Sequence, residues 1–278
     1  MTTFEAIVIA IVEGITEYLP ISSTGHMIIT ERLLQVPHSN FTKLFTIAIQ
    51  LGAILSVVVL YWKRFWAPFT EGKAGWMFYA KLLVAVTPAL VLGKLFDEKI
   101  EALLESALTV SIALFAGGFI LLVIDRLFRT HTIVDESQLS FRRAFLIGLW
   151  QCVAMIPGVS RSAASIIGGM QQHLTRSFAA EFSFFLAVPT MAAATGYSLF
   201  VKDWVDNGAA VKGYEILLSS NEYIRAFAIG NVVAFVVALL SIKFFIGYLQ
   251  QHGFRLFGWY RIAVGAVLLL LYATGYLQ

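Results

Sequence analysis

The sequence predicts an all-α polytopic membrane protein with six transmembrane helices plus two re-entrant helical hairpins in an inverted-topology repeat. Three observations predict it. Hydrophobic residues make up 59% of the 278-residue chain and charged residues only 13%, whereas a soluble domain is roughly half apolar and about a quarter charged. Six apolar stretches are long enough to cross a hydrocarbon core of about 30 Å as helix. Two further stretches resemble each other and fail as spans for one shared reason: a proline followed by hydroxyl residues interrupts each of them.

The first misfit, Phe4–Ile21, carries Glu5, Glu13 and Glu17 in its apolar run and ends in Pro20-Ile21-Ser22-Ser23. A short helix over about Thr24–Leu34 follows, then spans at Leu44–Trp62, Trp76–Leu95 and Ala107–Ile124. The second misfit, Ala144–Ile156, is too short to cross and ends in Pro157-Gly158. Behind it come a short helix at Ser162–Gln171 and spans at Phe178–Val201, Ala226–Leu249 and Leu256–Leu277. Irregular backbone at membrane depth is tolerated only where protein buries it or a wet cavity receives it, so both breaks are expected to face a cavity. Leu19-Pro20-Ile21-Ser22-Ser23-Thr24 aligns with Ile156-Pro157-Gly158-Val159-Ser160-Arg161, which pairs Arg161 with Thr24. An odd number of spans per copy makes the second copy run inverted. The reading is one membrane domain, 1–278, with repeats at about 1–128 and 140–278.

Short connections at 63–75, 125–143, 172–177 and 250–255 hold Lys63, Arg64, Lys73, Arg126, Arg129, Arg142, Arg143, Arg176 and Arg255. The opposite connections spread Arg32, Lys43, Lys94, Lys99, Lys202, Lys212 and Arg225 among Asp97, Glu98, Glu101, Glu105, Asp203 and Asp206. The excess of cations places the first set in the cytoplasm, with both termini outside. The hairpins then enter from opposite sides and their tips meet near the midplane. Each tip offers the N–H groups and positive dipole end of its second helix, and two such ends facing each other form an anion site. The net charge of +3 is dispersed over loops and leaves no nucleic-acid footprint, and the single Cys152 excludes an internal disulfide. The acidic residues in the N-terminal apolar run argue against a cleavable signal peptide.

Glu13 and Glu17 are i and i+4 on one helix face. Buried together, they require a shared proton or a bridging cation, and a divalent cation, Mg²⁺ or Ca²⁺, suits two carboxylates completed by substrate phosphate oxygens. Of Ser22, Ser23 and Thr24, one is expected to cap the following helix, which leaves hydroxyls over for a nucleophilic or binding role. His26 stands about one turn further on, placed either for proton transfer or for a structural hydrogen bond. Arg161, flanked by Ser160 and Ser162, needs an anion at membrane depth, and its planar fork suits a phosphate. In an empty site it would pair with Glu13 or Glu17. Gln50 and Glu181 are expected either to line the same cavity or to serve a structural role, Pro88 and Pro189 to kink the helices that shape it, and Lys243 and Arg261 to snorkel from span ends.

Glu13-Gly14-Ile15-Thr16-Glu17-Tyr18-Leu19-Pro20-Ile21-Ser22-Ser23-Thr24-Gly25-His26 and Pro157-Gly158-Val159-Ser160-Arg161-Ser162 resemble the two signature motifs of the bacterial undecaprenyl-diphosphate phosphatases of the bacitracin-resistance type. Ile49-Gln50-Leu51-Gly52 and Ala179-Ala180-Glu181-Phe182-Ser183-Phe184 are also similar to segments of that family. The resemblance implies hydrolysis of undecaprenyl diphosphate to the monophosphate, with a divalent cation, at the extracytoplasmic face of the bacterial inner membrane. That activity recycles the lipid carrier of cell-wall synthesis. The resemblance implies Ser23 as nucleophile, Glu13 and Glu17 for metal or base duty, His26 as proton relay and Arg161 as phosphate clamp. Ser22, Thr24, Ser160 and Ser162 complete the expected phosphate-binding set. The partners implied are the polyprenyl diphosphate and membrane lipids, with no nucleic acid and with a homodimer left open. The residues alone do not decide between attack by Ser23 and attack by an activated water. A transporter or flippase of an anionic polyprenyl lipid is the rival class, because broken helices in inverted repeats also build carriers. A lipid phosphatase with a histidine nucleophile is weaker, since no Lys…Arg-Pro motif or second His…Asp partner accompanies Ser23-Thr24-Gly25-His26.

Overall fold

The computed structural model describes residues 1–278 apart from 97, 98, 101, 102, 104, 105, 207 and 278, so Asp97, Glu98, Glu101 and Glu105 lie outside the described residues. Among the described residues six helices are long and apolar enough to cross a membrane: α3 (Asn40–Leu60), α5 (Lys73–Leu95), α6 (Ala107–Leu127), α9 (Arg176–Val201), α11 (Asn221–His252) and α12 (Arg255–Ala273). Each coincides with one of the stretches read from length and apolarity. A shorter helix, α4 (Trp62–Thr70), joins α3 to α5.

The two interrupted stretches form helix–break–helix units. α1 (Thr3–Thr16) opens with a capping box in which the Thr2 hydroxyl accepts from the Glu5 amide and the Glu5 carboxylate accepts from the Thr2 amide, so Glu5 is a cap. After the turn through Pro20, α2 (Ser23–Leu33) packs back on α1. α7 (Phe141–Cys152) and a 3₁₀ turn at Val153–Met155 lead into the second break, and α8 (Arg161–Gln171) packs back on α7. α1 lies along α11, α7 along α5, and the last spans α6 and α12 along each other. Buried residues run through α8 from Ser162 to Met170 and through most of α9 from Phe178 to Ala187, which makes this pair the centre of the molecule.

The connections 63–75, 125–143, 172–177 and 250–255 gather at one end. Arg64 pairs with Glu136, the Arg176 Nε donates to Asp125 Oδ1 at 2.6 Å, and the Phe254 amide donates to Asp125 Oδ2 at 3.0 Å. Elsewhere, strands β1 (Asp203–Asp206) and β2 (Ala209–Lys212) form an antiparallel hairpin followed by α10 (Gly213–Leu218). The Asn40 amide nitrogen donates to the Val205 carbonyl there. This hairpin lies in the connection between α9 and α11, and the fold class remains all-α.

Gly158 shows how tightly the second break is seated. Its φ is +92°, and a Cβ there would run into the Val110 backbone of α6. Gly158→Ala is therefore expected to destabilise the protein by about 1–3 kcal/mol, seen as a lower thermal midpoint in detergent. An unchanged midpoint would mean the break is free to relax.

Candidate active site

Both breaks end on a serine in a backbone conformation that L-residues rarely adopt. Ser22 (φ 69°) and Ser160 (φ 74°) are the N-cap residues of α2 and α8. Such outliers cost of order 1–3 kcal/mol each and persist where the surroundings over-determine them. Because the helices start at Ser23 and Arg161, the local structure sets Arg161 against Ser23 and corrects the pairing with Thr24. A gapless alignment on the prolines does not register the extra residue in the second break.

The caps differ in chemistry. The Ser160 hydroxyl accepts from the Ala163 amide at 3.2 Å, an ordinary cap. No side chain caps α2, and the Ser22 hydroxyl is buried without a partner among the described residues. The first-turn N–H groups of α2 therefore remain for a ligand.

A cavity of about 250 Å³ lies between the breaks, lined by Glu17, Ser22, Ser23, Thr24, Gln50, Ser160 and Arg161 among others. The Ser23 hydroxyl donates to Glu17 Oε2 at 2.7 Å. The Arg161 guanidinium approaches the other oxygen, Glu17 Oε1, at 3.3 Å through Nη2 and donates to the Ser183 carbonyl at 2.8 Å through Nη1. The Tyr18 ring faces it, with Arg161 Cζ 5.9 Å from the ring centroid, within cation–π range. One carboxylate thus touches a hydroxyl from its own break and an arginine from the other. A hydroxyl 2.7 Å from a carboxylate can lose its proton to it.

The remaining expected residues fall in several places. Glu13 is 1% exposed and sits behind Glu17, outside the cavity lining. The two carboxylates face each other, and Glu13 Oε1 has no hydrogen-bond partner among the described residues. That orphaned oxygen, in a donor set made only of oxygens, fits a hard divalent cation. No cluster of three His, Cys, Asp or Glu side chains occurs among the described residues, so further ligands would come from water and substrate. His26 does not line the cavity. Since the Ser22 carbonyl can only accept, the His26 Nδ1–H donates to it at 2.7 Å, and Nε2 shares a hydrogen bond of 2.7 Å with the Tyr260 hydroxyl.

Three further expectations are corrected. Ser162 does not line the cavity: it is fully buried, and its hydroxyl donates to the Leu19 carbonyl at 2.8 Å, tying the second break to the first. Glu181 does not join Gln50 but faces Tyr61 near Arg64 and Glu136, beside the gathered connections. Arg261 does not snorkel: it is 1% exposed and bound to backbone carbonyls, whereas Lys243 is exposed. The sequence reading also missed Gln151 and Thr190 on the cavity wall. The Gln151 amide nitrogen donates to Thr190 Oγ1 at 3.2 Å, and its buried Oε1 has no partner among the described residues. A lone amide in the apolar α7 was the available signal. Pro88 and Pro189 each precede a lining residue, Ala89 and Thr190.

A family model described as "Bacitracin resistance protein BacA" matches residues 6–267. The Undecaprenyl-diphosphatase of Flavobacterium psychrophilum is 54% identical, covering 98% of this chain and 97% of its own length. The protein of the same name from Flavobacterium johnsoniae is also 54% identical, over 98% and 97%. The one from Porphyromonas gingivalis strain W83 is 47% identical over 99% and 98%.

Proposed function

The chain belongs to the bacitracin resistance protein BacA family, and from that membership and the cavity chemistry we propose that it is a membrane hydrolase. It converts undecaprenyl diphosphate to undecaprenyl phosphate and inorganic phosphate, and so returns the lipid carrier to cell-wall synthesis. The observation that carries the catalytic assignment is the Ser23–Glu17 hydrogen bond of 2.7 Å with Arg161 on the same carboxylate.

Phosphoryl transfer asks chiefly for charge neutralisation and in-line positioning. Arg161 leaves Glu17 for the terminal phosphate, which its planar fork and the uncapped N-terminus of α2 hold. The Ser23 oxygen attacks the terminal phosphorus while its proton passes to Glu17 Oε2. The new Ser23 O–P bond replaces the anhydride P–O bond, and undecaprenyl phosphate departs with that proton. Water then attacks the phosphoserine, giving a proton to Glu17, which returns it to the leaving Ser23 oxygen. Ser22, Thr24 and Ser160 line the same phosphate pocket. His26 fixes the Ser22 carbonyl, so its part in proton movement is indirect. Glu13 and Glu17 would hold a Mg²⁺ or Ca²⁺ ion, whose charge would offset that of the diphosphate. Chelator is expected to stop phosphate release by purified protein and added divalent cation to restore it; full activity in chelator would remove the cation from the account.

The units α1–α2 and α7–α8 act as re-entrant hairpins of an inverted repeat. Supporting this, α1 packs on α11, a span of the second half, while α7 packs on α5, a span of the first. The cationic ends of the gathered connections favour the cytoplasmic side, and the cavity then opens to the extracytoplasmic side of the bacterial inner membrane.

A further inference from the structure

Arg261, in the last span, spends all five of its N–H donors on backbone carbonyls. Nε donates to Leu114 O at 3.2 Å, Nη1 to Pro20 O at 3.3 Å and Val159 O at 2.9 Å, and Nη2 to Ala113 O at 3.1 Å and Gly158 O at 2.9 Å. Two of these carbonyls belong to α6, one to the first break and two to the second. Among the described residues no carboxylate pairs with it. A seat for the guanidinium is left by Gly117, where a Cβ would lie 2.8 Å from Arg261 Cζ. The preceding residue, Tyr260, reaches the first break as well, through His26 to the Ser22 carbonyl. Three of the carbonyls bound by Arg261, those of Pro20, Gly158 and Val159, lie within two residues of the strained caps Ser22 and Ser160.

We propose that Arg261 is a positioning residue: one guanidinium, gripping the Pro20, Gly158 and Val159 carbonyls, holds Ser23 of the first break in register with Arg161 of the second. It lies behind the breaks and does not line the cavity, so it governs the alignment of the reacting groups and leaves substrate binding largely alone. The kinetic consequence rests on the hydrolase reading above; the structural consequence does not. Lysine keeps the charge but offers a single flexible point of donors in place of a rigid fork, and it cannot hold carbonyls from three segments.

The test uses the full-length chain in detergent, as wild type, Arg261→Lys and Gly117→Ala. The second variant displaces the guanidinium without removing it and carries the test if the first fails to fold. Amide hydrogen exchange is expected to rise in segments 19–24 and 156–162 together, with the spans Asn40–Leu60 and Arg176–Val201 unchanged. In the same preparations kcat for undecaprenyl diphosphate falls about 10–100-fold, the scale of a small misplacement of reacting groups, while KM stays within about threefold. Exchange that rises uniformly along the chain, or that stays at wild-type level in the breaks, overturns the proposal, as does a rise in KM with kcat intact. If wild type releases no phosphate, the hydrolase reading fails while the exchange pattern still decides the role of Arg261.

Discussion

Replacing Arg161 by alanine is expected to lower kcat/KM for undecaprenyl diphosphate by about 10³-fold, or about 4 kcal/mol of transition-state stabilisation. Arg161 is the cation that the second break brings to the cavity, and an arginine placed on a transferring phosphoryl group is worth about 10³–10⁵ in rate. Its present partners, Glu17 Oε1 at 3.3 Å and the Ser183 carbonyl at 2.8 Å, hold it at the cavity wall. Arg161→Lys should recover only part of the loss, because an ammonium has the charge without the planar fork. The measurement is steady-state phosphate release with folding checked by the thermal midpoint. Equal activity of Arg161→Ala and wild type would take the arginine out of the chemistry.

Ser23→Ala is expected to cost at least as much, about 10³-fold or more in kcat, with KM little changed, since a nucleophile contributes to the transition state and little to the bound substrate. Rapid quenching of wild type during turnover of a diphosphate labelled in its terminal phosphate should trap label on Ser23. Near-normal release by Ser23→Ala, with Arg161→Ala inactive, would replace the serine by a water activated by Glu17.

How much of this could be read in advance follows from what a linear sequence encodes. The six spans were legible because length and apolarity alone specify them, and the breaks because proline and clustered hydroxyls have no place in a lipid-facing helix. The convergence of Glu17 and Arg161 was also legible, since charges in an apolar setting need each other or a ligand. Arg261 was not. From the sequence it lies near the start of a span, where snorkelling is the usual behaviour, and its carbonyl partners come from three other segments. Ser162 looked like a phosphate ligand beside Arg161, but the helix that aims Arg161 at the cavity turns the next side chain toward Leu19. Glu181 shares a helix with the cavity residue Thr190, yet it lies near the other end of α9. In each case the missing information was three-dimensional: the rotation of a helix, or which carbonyls a neighbouring break leaves free.

The central claim is that residues from both breaks form one catalytic unit. The most direct test is phosphate release from undecaprenyl diphosphate by purified wild type, Ser23→Ala, Arg161→Ala and the double variant. Groups that act as a unit are strongly non-additive, so wild type should release phosphate and the double variant should be no slower than the slower single variant. Losses that multiply as independent factors, or a wild type that releases nothing, would contradict the account.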